Sequence, residues 1–543
     1  MTHSTLCGAR SCGNWGNPRL FLLWWAFASL LIVGASHAAM PDRLSGDQAR
    51  HLLLRTGFAP RQAEVDALTG RPARQAISEL IGQAKMAAPI HPPPDFVSQP
   101  PPISLRLLQS VEERQAQRRQ LLREGLDIKV WWMREMLESP APLQERMTLF
   151  WHNHFATSQQ KVVSSLGMWR QHLLLRQGAL GSLRPLLHAV AKDPAMLVYL
   201  DGANSRKEAP NENFAREVME LFTLGEASQG GRYSESDIRE AARAFTGWGV
   251  EPGEFSFRYR PAWHDGGEKT VLGRSGNFDG DAVLDILLDQ PAAATYIVNK
   301  LWREFVSPAP DQAAVERIAR RFRASDYDIA AALTEVLQSD AFWAKENSGA
   351  LVKSPIDLVV GTLRQFDFSY ADAMPFVLKS AQLGQNLLAP PNVKGWPGQN
   401  DWINATTLLE RKRFTEQLLR ANARQAPAET AALATAPDMA APMSAQADFA
   451  GGQAAAGGNQ QALRLLGPAA ANRLAQGMAR ISFDPERWLA QYGGAGDKVP
   501  SEELKARLTH VLLALPATNS IADGTVGVAY VRSLTLDPAY QLK

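Results

Sequence analysis

The sequence predicts a mainly α fold: a large, irregular multi-helical domain that carries one small β-hairpin. Apolar residues recur at the three- and four-residue spacing of amphipathic helices in residues 105–138, 143–155, 313–322, 329–342 and 351–366. Strand-like alternation is confined to residues 255–259, and residues 269–272 are expected to pair with them across a Gly-rich turn. The predominance of the helical pattern therefore assigns the fold class.

Start and stop signals support individual helices. Ser234 and Asp237 form a capping-box pattern, and the helix that they open is expected to stop at Gly247. Asp279 or Asp281 is expected to cap the helix predicted from Val283 onward. These signals locate helix ends where periodicity alone does not.

The N-terminus has the pattern of an export signal. Arg10 and Arg19 precede the apolar run at residues 20–33, and small residues follow for cleavage after Ala38 or Ala39. The alternative is an uncleaved anchor, but this run is shorter than the roughly 20 residues that span a bilayer. We therefore expect a periplasmic or extracellular protein with no transmembrane span after cleavage.

Composition divides the rest of the chain. Residues 426–461 contain no Lys or Arg and a single aromatic residue, Phe449, so they cannot bury enough apolar surface to order themselves. The predicted organisation is a signal peptide at 1–39, a main helical domain at 40–425, a disordered Ala/Gly/Pro-rich insert at 426–461 and a C-terminal helical region at 462–543.

Charge and cysteine content exclude several function classes. The 57 basic and 55 acidic residues leave a formal net charge of +2, which gives no electrostatic case for a nucleic-acid partner. The only cysteines, Cys7 and Cys12, lie in the predicted signal. The mature protein is thus expected to have no disulfides, no cysteine-ligated metal and no cysteine nucleophile.

Unusual polar residues are concentrated between residues 150 and 269, within otherwise apolar helices. Ionisable groups on apolar faces are costly to bury, so they mark either a functional site or a paired structural network. The candidate site residues are His152, Asn153, His154, Asn213, Arg216, Glu217, Glu220, His264 and Asp265.

Helical geometry separates the two histidines of the first motif. His154 continues the apolar stripe of its helix, while His152 points roughly 200° away at about 100° per residue. They cannot share a metal while both are helical, and a core histidine with one partner is the alternative role for His154. Glu217 falls between Leu221 and Leu224 on the helical wheel, so we expect it to be buried as well.

His264 and Asp265 lie in a Gly-rich loop after the predicted strand. They are candidates for metal ligands or for a base with its orienting partner, and an ordinary Asp-Gly turn is the alternative. If a divalent metal is bound, His154, Glu217 and His264 are the candidate ligands, and their nitrogen and oxygen atoms suit zinc or manganese.

Taken together, the motifs resemble the bacterial family of unknown function numbered 1800. The resemblance covers about residues 45–420, returns near the C-terminus, and rests on residues 51–58 (HLLLRTGF), 151–155 (WHNHF), 211–225 (NENFAREVMELFTLG), 242–248 (ARAFTGW), 264–265 (HD), 300–302 (KLW), 351–355 (LVKSP) and 391–398 (PNVKGWPG). It implies an exported protein encoded beside other exported proteins, and it implies no mechanism.

Two function classes stay open. One is an exported binding or assembly protein that acts with a co-expressed exported partner. The other is a metal-dependent hydrolase that uses His154, Glu217, His264 and Asp265. The sequence contains neither a Gly-rich phosphate loop nor a G-x-S-x-G serine elbow, which argues against nucleotide hydrolysis and the common esterase fold.

Overall fold

Helices dominate the structure, which confirms the predicted fold class. The computed structural model describes residues 39–99, 110–226, 228, 230–251, 253–423 and 468–543. The predicted signal (up to residue 38) and the predicted insert at 426–461 lie outside these residues. Within them, no helix is long and apolar enough to cross a membrane.

The helices before the sheets are α1 Gly46–Thr56, α2 Gln62–Leu68, α3 Ala73–Met86, α4 Val111–Glu138, α5 Pro142–His154, α6 Gln159–Val162, α7 Ser165–Gly178, α8 Leu183–Ala191, α9 Pro194–Tyr199, α10 Glu212–Glu217 and α11 Glu235–Ala244. A π-helix, Val218–Leu224, continues α10 directly. Hydrogen bonding from i to i+5 is rare and is frequently found at functional sites.

The helices after the sheets are α12 Gly280–Leu288, α13 Pro291–Phe305, α14 Gln312–Ala324, α15 Ile329–Leu337, α16 Asp340–Trp343, α17 Pro355–Gln365, α18 Met374–Gln382, α19 Ala405–Ala423, α20 Pro468–Ala479, α21 Pro485–Ala490, α22 Glu502–Leu512 and α23 Gly527–Leu536. Short 3-10 turns lie at Asp95–Ser98, Pro261–Trp263, Lys345–Asn347, Gln399–Trp402 and Pro538–Gln541.

The local capping predictions are confirmed. The Ser234 side chain accepts a hydrogen bond from the backbone N–H of Asp237, and the Asp237 carboxylate accepts one from the backbone N–H of Ser234, as the capping box requires. Asp279 caps α12 by accepting from the Ala282 N–H. The two partners of each contact are three residues apart, so the local sequence pattern is enough to predict the contact.

The predicted hairpin pairing was wrong. Strand β1 (Trp248–Glu251) pairs antiparallel with β2 (Ser256–Tyr259), and β3 (Lys269–Val271) pairs with β4 (Arg274–Gly276). Each strand thus pairs with its nearest neighbour in the chain. Leu272 and Gly273, at φ 50° and 78°, form the two-residue turn of positive φ that closes a tight hairpin.

Two apolar cores hold the helices together, and α5 contributes to both. Met147 and Trp151 of α5 lie in the first core with α1–α3 and α8–α15, whereas Leu149 lies in the second with α4 and α17. Residues 468–543 also contribute to the second core, for example through Trp488 and Tyr540. They therefore pack against the helices of the predicted main domain, and the proposed boundaries at 425 and 462 remain predictions.

Candidate functional site

Helix α5 is buried on nearly every side. Its polar residues contact three different sets of neighbours. Every side chain from Leu143 to His152 is buried, as is His154. Arg146, Phe150 and Asn153 follow four- and three-residue spacing and so share one face. His152 and His154 contact different neighbours, as their predicted angular separation requires.

His154 contacts the backbone near the C-terminal end of the π-helix. Its Nε2 lies 3.2 Å from the Phe222 carbonyl oxygen, and its Nδ1 lies 2.9 Å from Lys300 Nζ. The carbonyl accepts from Nε2–H, which leaves Nδ1 to accept from the lysine, so the ring is neutral. Burial lowers the pKa of His154 well below its ordinary value, and the nearby Lys300 lowers it further. Both ring nitrogens are therefore engaged with protein atoms.

His152 belongs to a second buried pair. Its Nε2 lies 3.2 Å from Nδ1 of His172, and its ring packs at 4.6 Å from the indole of Trp132. Burial lowers the pKa of His152 to about 3 and that of His172 well below 6.5, so both rings are neutral at physiological pH. This pair sits among aromatic side chains and shares no contact with His154 that would join the two into one site.

Asn153 joins α5 to the loop that carries the NVKGWPG motif. Its Oδ1 accepts a hydrogen bond of 2.6 Å from the Trp396 backbone N–H. Gly395 has φ 92°, and a Cβ at this position would overlap both Oδ1 and the carbonyl oxygen of Asn153. Glycine is thus required there, and two segments that carry family motifs meet in direct contact.

The predicted residues of α10 and of the π-helix that continues it lie at or close to the protein surface. Asn213 is exposed, and Arg216 forms hydrogen bonds of 2.9 and 2.7 Å with the Glu235 carboxylate. Glu220 lies 3.7 Å from the same arginine. The arrangement is an ion-pair network at the surface, where such pairs contribute about 0–1 kcal/mol.

Glu217 is only partly buried, which corrects the expectation that it lies on the apolar face. The wheel placed it between Leu221 and Leu224 by assuming 100° per residue. The chain instead becomes a π-helix at Val218, whose wider turn rotates the following residues relative to Glu217. Partial burial still raises the pKa of Glu217, and the neighbouring Glu220 adds to this effect.

His264 and Asp265 form a structured turn. His264 Nδ1 lies 2.9 Å from the Thr246 carbonyl oxygen, and the Asp265 backbone N–H donates to Thr246 Oγ1 at 2.8 Å. The Asp265 carboxylate accepts from Arg243 Nε at 2.7 Å and from the Gly267 N–H at 2.9 Å. Hydrogen bonding from Arg243 lowers the pKa of Asp265 to about 2. The contacts are those of the Asp-Gly turn that was the alternative interpretation.

The three predicted metal ligands thus lie in three separate environments. His154 contacts Phe222 and Lys300, His264 contacts Thr246, and Glu217 lies at the edge of α10. In the described part of the chain, no group of three or more His, Cys, Asp or Glu side chains is arranged to hold a metal ion. The structure does not assemble the proposed zinc or manganese site from these residues.

A different site is assembled beside Asn153. A recess of about 80 Å³ lies where α5, α13, the start of α17 and the loop after Trp396 meet. The polar and charged residues of this recess, with the glycine at its edge, are Arg146, Asn153, Glu304, Ser354, Asp357, Gln385, Gly398, Gln399 and Lys543. Four segments that carry family motifs, or directly adjoin them, contribute to this charged recess.

Ion pairs fix the walls of the charged recess. Arg146 binds the Asp357 carboxylate and, at 3.1 Å, Glu304 Oε1. Lys543 Nζ donates to the other oxygen of Asp357 at 2.7 Å. Burial by itself raises the pKa of Asp357, but Arg146 and Lys543 together bring it well below its usual range. The carboxylate is therefore ionised and holds both cations.

Sequence reasoning missed the charged side chains of this recess. Arg146 and Asp357 are separated by 211 residues, and neither belongs to a metal or catalytic spacing pattern. The available signal was local: Ser354 and Asp357 form a capping box after Lys353, with Pro355 at the first helical position. That pattern locates the start of α17 and leaves the partners of Asp357 unspecified.

The fold and the site define a mainly helical protein with two cores and a small charged recess. The chain belongs to a family of unknown function: residues 51–517 match the family described as "Protein of unknown function (DUF1800)". This match confirms the resemblance seen in the motifs. No curated protein and no solved structure matches the chain.

Proposed function

We propose that this chain is an exported protein that acts by binding, together with a co-expressed exported partner. The observation that carries the proposal is the convergence of family-motif segments on one charged recess. Asp357 binds both Arg146 and Lys543, which keeps the walls of the recess in one arrangement, as preorganised binding requires.

Export is the part of this proposal that is tested first. The charged start, the apolar run and the small residues around Ala38 predict cleavage, so the mature protein is expected to begin at Ala39 or Met40. Intact-mass measurement of the protein recovered outside the cytoplasm gives the N-terminus directly. Retention of Cys7 and Cys12 in that mass would contradict cleavage.

Partner binding at the recess is tested by placing a bulky side chain at the opening of the recess. Gly398 is exposed, has φ −127°, and a Cβ built on it has no atom within 4 Å. Gly398→Trp therefore adds a bulky ring at the recess without backbone strain. We expect this variant to melt like the wild type and to lose at least tenfold in the amount of the co-expressed partner that copurifies from the exported fraction.

Gly253→Trp is the matched control. Gly253 is also exposed, and a Cβ built there likewise has no atom within 4 Å, but the residue lies in the turn that follows β1. This variant is expected to retain the partner. Equal recovery of the partner with both variants would place the binding surface elsewhere, and failure of the wild type to recover any partner would contradict the proposal itself.

A further inference from the structure

The neutral side chains of the charged recess present hydrogen-bond donors. Asn153 Oδ1 accepts from the Trp396 N–H, and Gln385 Oε1 accepts from the Ile356 N–H at 2.9 Å. Because a backbone N–H needs an oxygen partner, these contacts fix the orientation of both amides. Their NH2 groups, which have no partner among the described residues, are left to donate toward the recess.

Two further side chains follow the same rule. Gln399 Oε1 accepts from the Val352 N–H at 3.1 Å, and its NH2 group reaches only the Arg303 carbonyl oxygen, at 3.5 Å. Ser354 Oγ accepts from the Asp357 N–H at 3.0 Å, so its own hydrogen remains available. Four neutral side chains of the recess thus have their acceptor atoms occupied.

The charged groups of the recess are arranged to favour a negative ligand as well. Both oxygens of Asp357 are occupied, by Arg146 and by Lys543 together with the Ser354 N–H. Glu304 is the second carboxylate of the wall; its Oε1 is held by Arg146, and its side chain is 31 % exposed. Water therefore screens this carboxylate, which would otherwise repel an anion.

Three more basic side chains lie near enough to Asp357 to interact with it electrostatically, and they form no ion pair with a carboxylate among the described residues. Arg55, Lys353 and Arg411 are at most 6 % exposed, and they hydrogen-bond to carbonyl or amide oxygens or, for Lys353, lie 3.9 Å above the Tyr540 ring. Arg411 Nε and Nη2 have no partner among the described residues. Burial lowers the pKa of Lys353 to about 7 despite the nearby Asp357. Buried basic side chains thus outnumber buried carboxylate side chains around the recess.

We propose that the charged recess binds the oxyanion head group of a ligand, a phosphate or a carboxylate. This inference rests on the proposed binding function and names the chemistry that the recess recognises. An oxyanion offers several acceptors to converging amide, hydroxyl and cationic donors, and guanidinium and ammonium groups are its usual partners. A water molecule needs about 10–15 Å³, so 80 Å³ admits a head group and excludes a whole nucleotide or sugar.

Thermal melts of the mature protein with inorganic phosphate, acetate and chloride test the inference at equal ionic strength. At about 100 times its dissociation constant, phosphate or acetate is expected to raise the melting temperature by roughly 1–3 °C over chloride. If phosphate and acetate raise the melting temperature no more than chloride does, the inference is wrong. A shift with phosphate alone assigns a phosphoryl head group, and a shift with acetate assigns a carboxylate.

Isosteric variants test whether the oxyanion binds at the charged recess. Gln385→Glu and Asn153→Asp keep the oxygen that accepts from Ile356 or Trp396 and replace the free NH2 group by a negative oxygen. Each is expected to weaken oxyanion binding at least tenfold, while Gly253→Trp leaves it unchanged. Two variants are used because Gln385 is buried and its replacement alone could perturb folding. If a variant that melts like the wild type shows an undiminished rise in melting temperature with the oxyanion, the oxyanion does not bind at this recess.

The experiments distinguish an error in the oxyanion inference from an error in the proposed partner surface. If phosphate and acetate do not bind but Gly398→Trp still loses the partner, the recess is a binding surface of another chemistry, and the oxyanion inference is wrong. If oxyanions bind as described but Gly398→Trp retains the partner, the site stands and the proposed partner surface does not.

Discussion

Replacing Asp357 by Asn is expected to destabilise the protein by about 3–5 kcal/mol, the range observed when one member of a buried ion pair is removed. Asp357 is 3 % exposed and binds Arg146 and Lys543, which are buried as well. The amide keeps the shape of the side chain but removes the charge that compensates two cations. Chemical denaturation monitored by tryptophan fluorescence measures the loss.

Asp201→Asn is the matched control, because it makes the same change in an exposed ion pair. Asp201 is 68 % exposed and lies 2.7 Å from Lys161 Nζ. Exposed pairs contribute about 0–1 kcal/mol, so this variant is expected to change little. If the Asp357 variant were no less stable than the control, the ion pairs of the recess would contribute no more than surface contacts.

The effect of Asp357 is also expected to depend on pH. The folded protein holds the pKa of Asp357 below its ordinary value, so its contribution is fully present above the unfolded pKa of about 3.9. As the pH falls from there toward the folded pKa, the unfolded state binds the proton first and the contribution is lost. The stability difference between wild type and Asp357→Asn should therefore shrink below about pH 4.

The fold was predictable where the deciding contacts are local. The capping box at Ser234 and the cap at Asp279 each join residues three positions apart. Helical periodicity likewise repeats within one or two turns. Prediction failed at the π-helix after Glu217, because the wheel assumes one residue rotation throughout. It failed again at the hairpins, where two strand patterns were paired across the intervening loop rather than with their immediate neighbours.

The recess was beyond a single sequence for a different reason. Periodicity identifies which residues share a face, but it does not identify the helix that covers that face. Arg146 meets Glu304 and Asp357 across 158 and 211 residues. The polar motif at 152–154 did mark the right helix, since Asn153 lines the recess, whereas the two histidines beside it serve buried contacts on other faces.

His154→Ala is expected to cost about 3–4 kcal/mol, whereas Glu217→Gln is expected to change stability by less than about 0.5 kcal/mol. The structure gives the two groups different roles. Alanine at 154 leaves a cavity beside Phe155 and removes the partners of Lys300 Nζ and the Phe222 carbonyl oxygen. Glu217 is only partly buried and forms no hydrogen bond or ion pair within the described residues, so its amide is tolerated.

Thermal melts of both variants and the wild type, with and without a chelator, separate this account from metal ligation. His154 engages both ring nitrogens with protein atoms, so the wild-type melt is expected to be the same in the presence of the chelator. A wild type that lost stability to the chelator and regained it with zinc or manganese, through a response that His264→Ala weakened, would instead show a shared metal. Equal destabilisation by Glu217→Gln and His154→Ala would contradict the separate roles that the structure gives the two side chains.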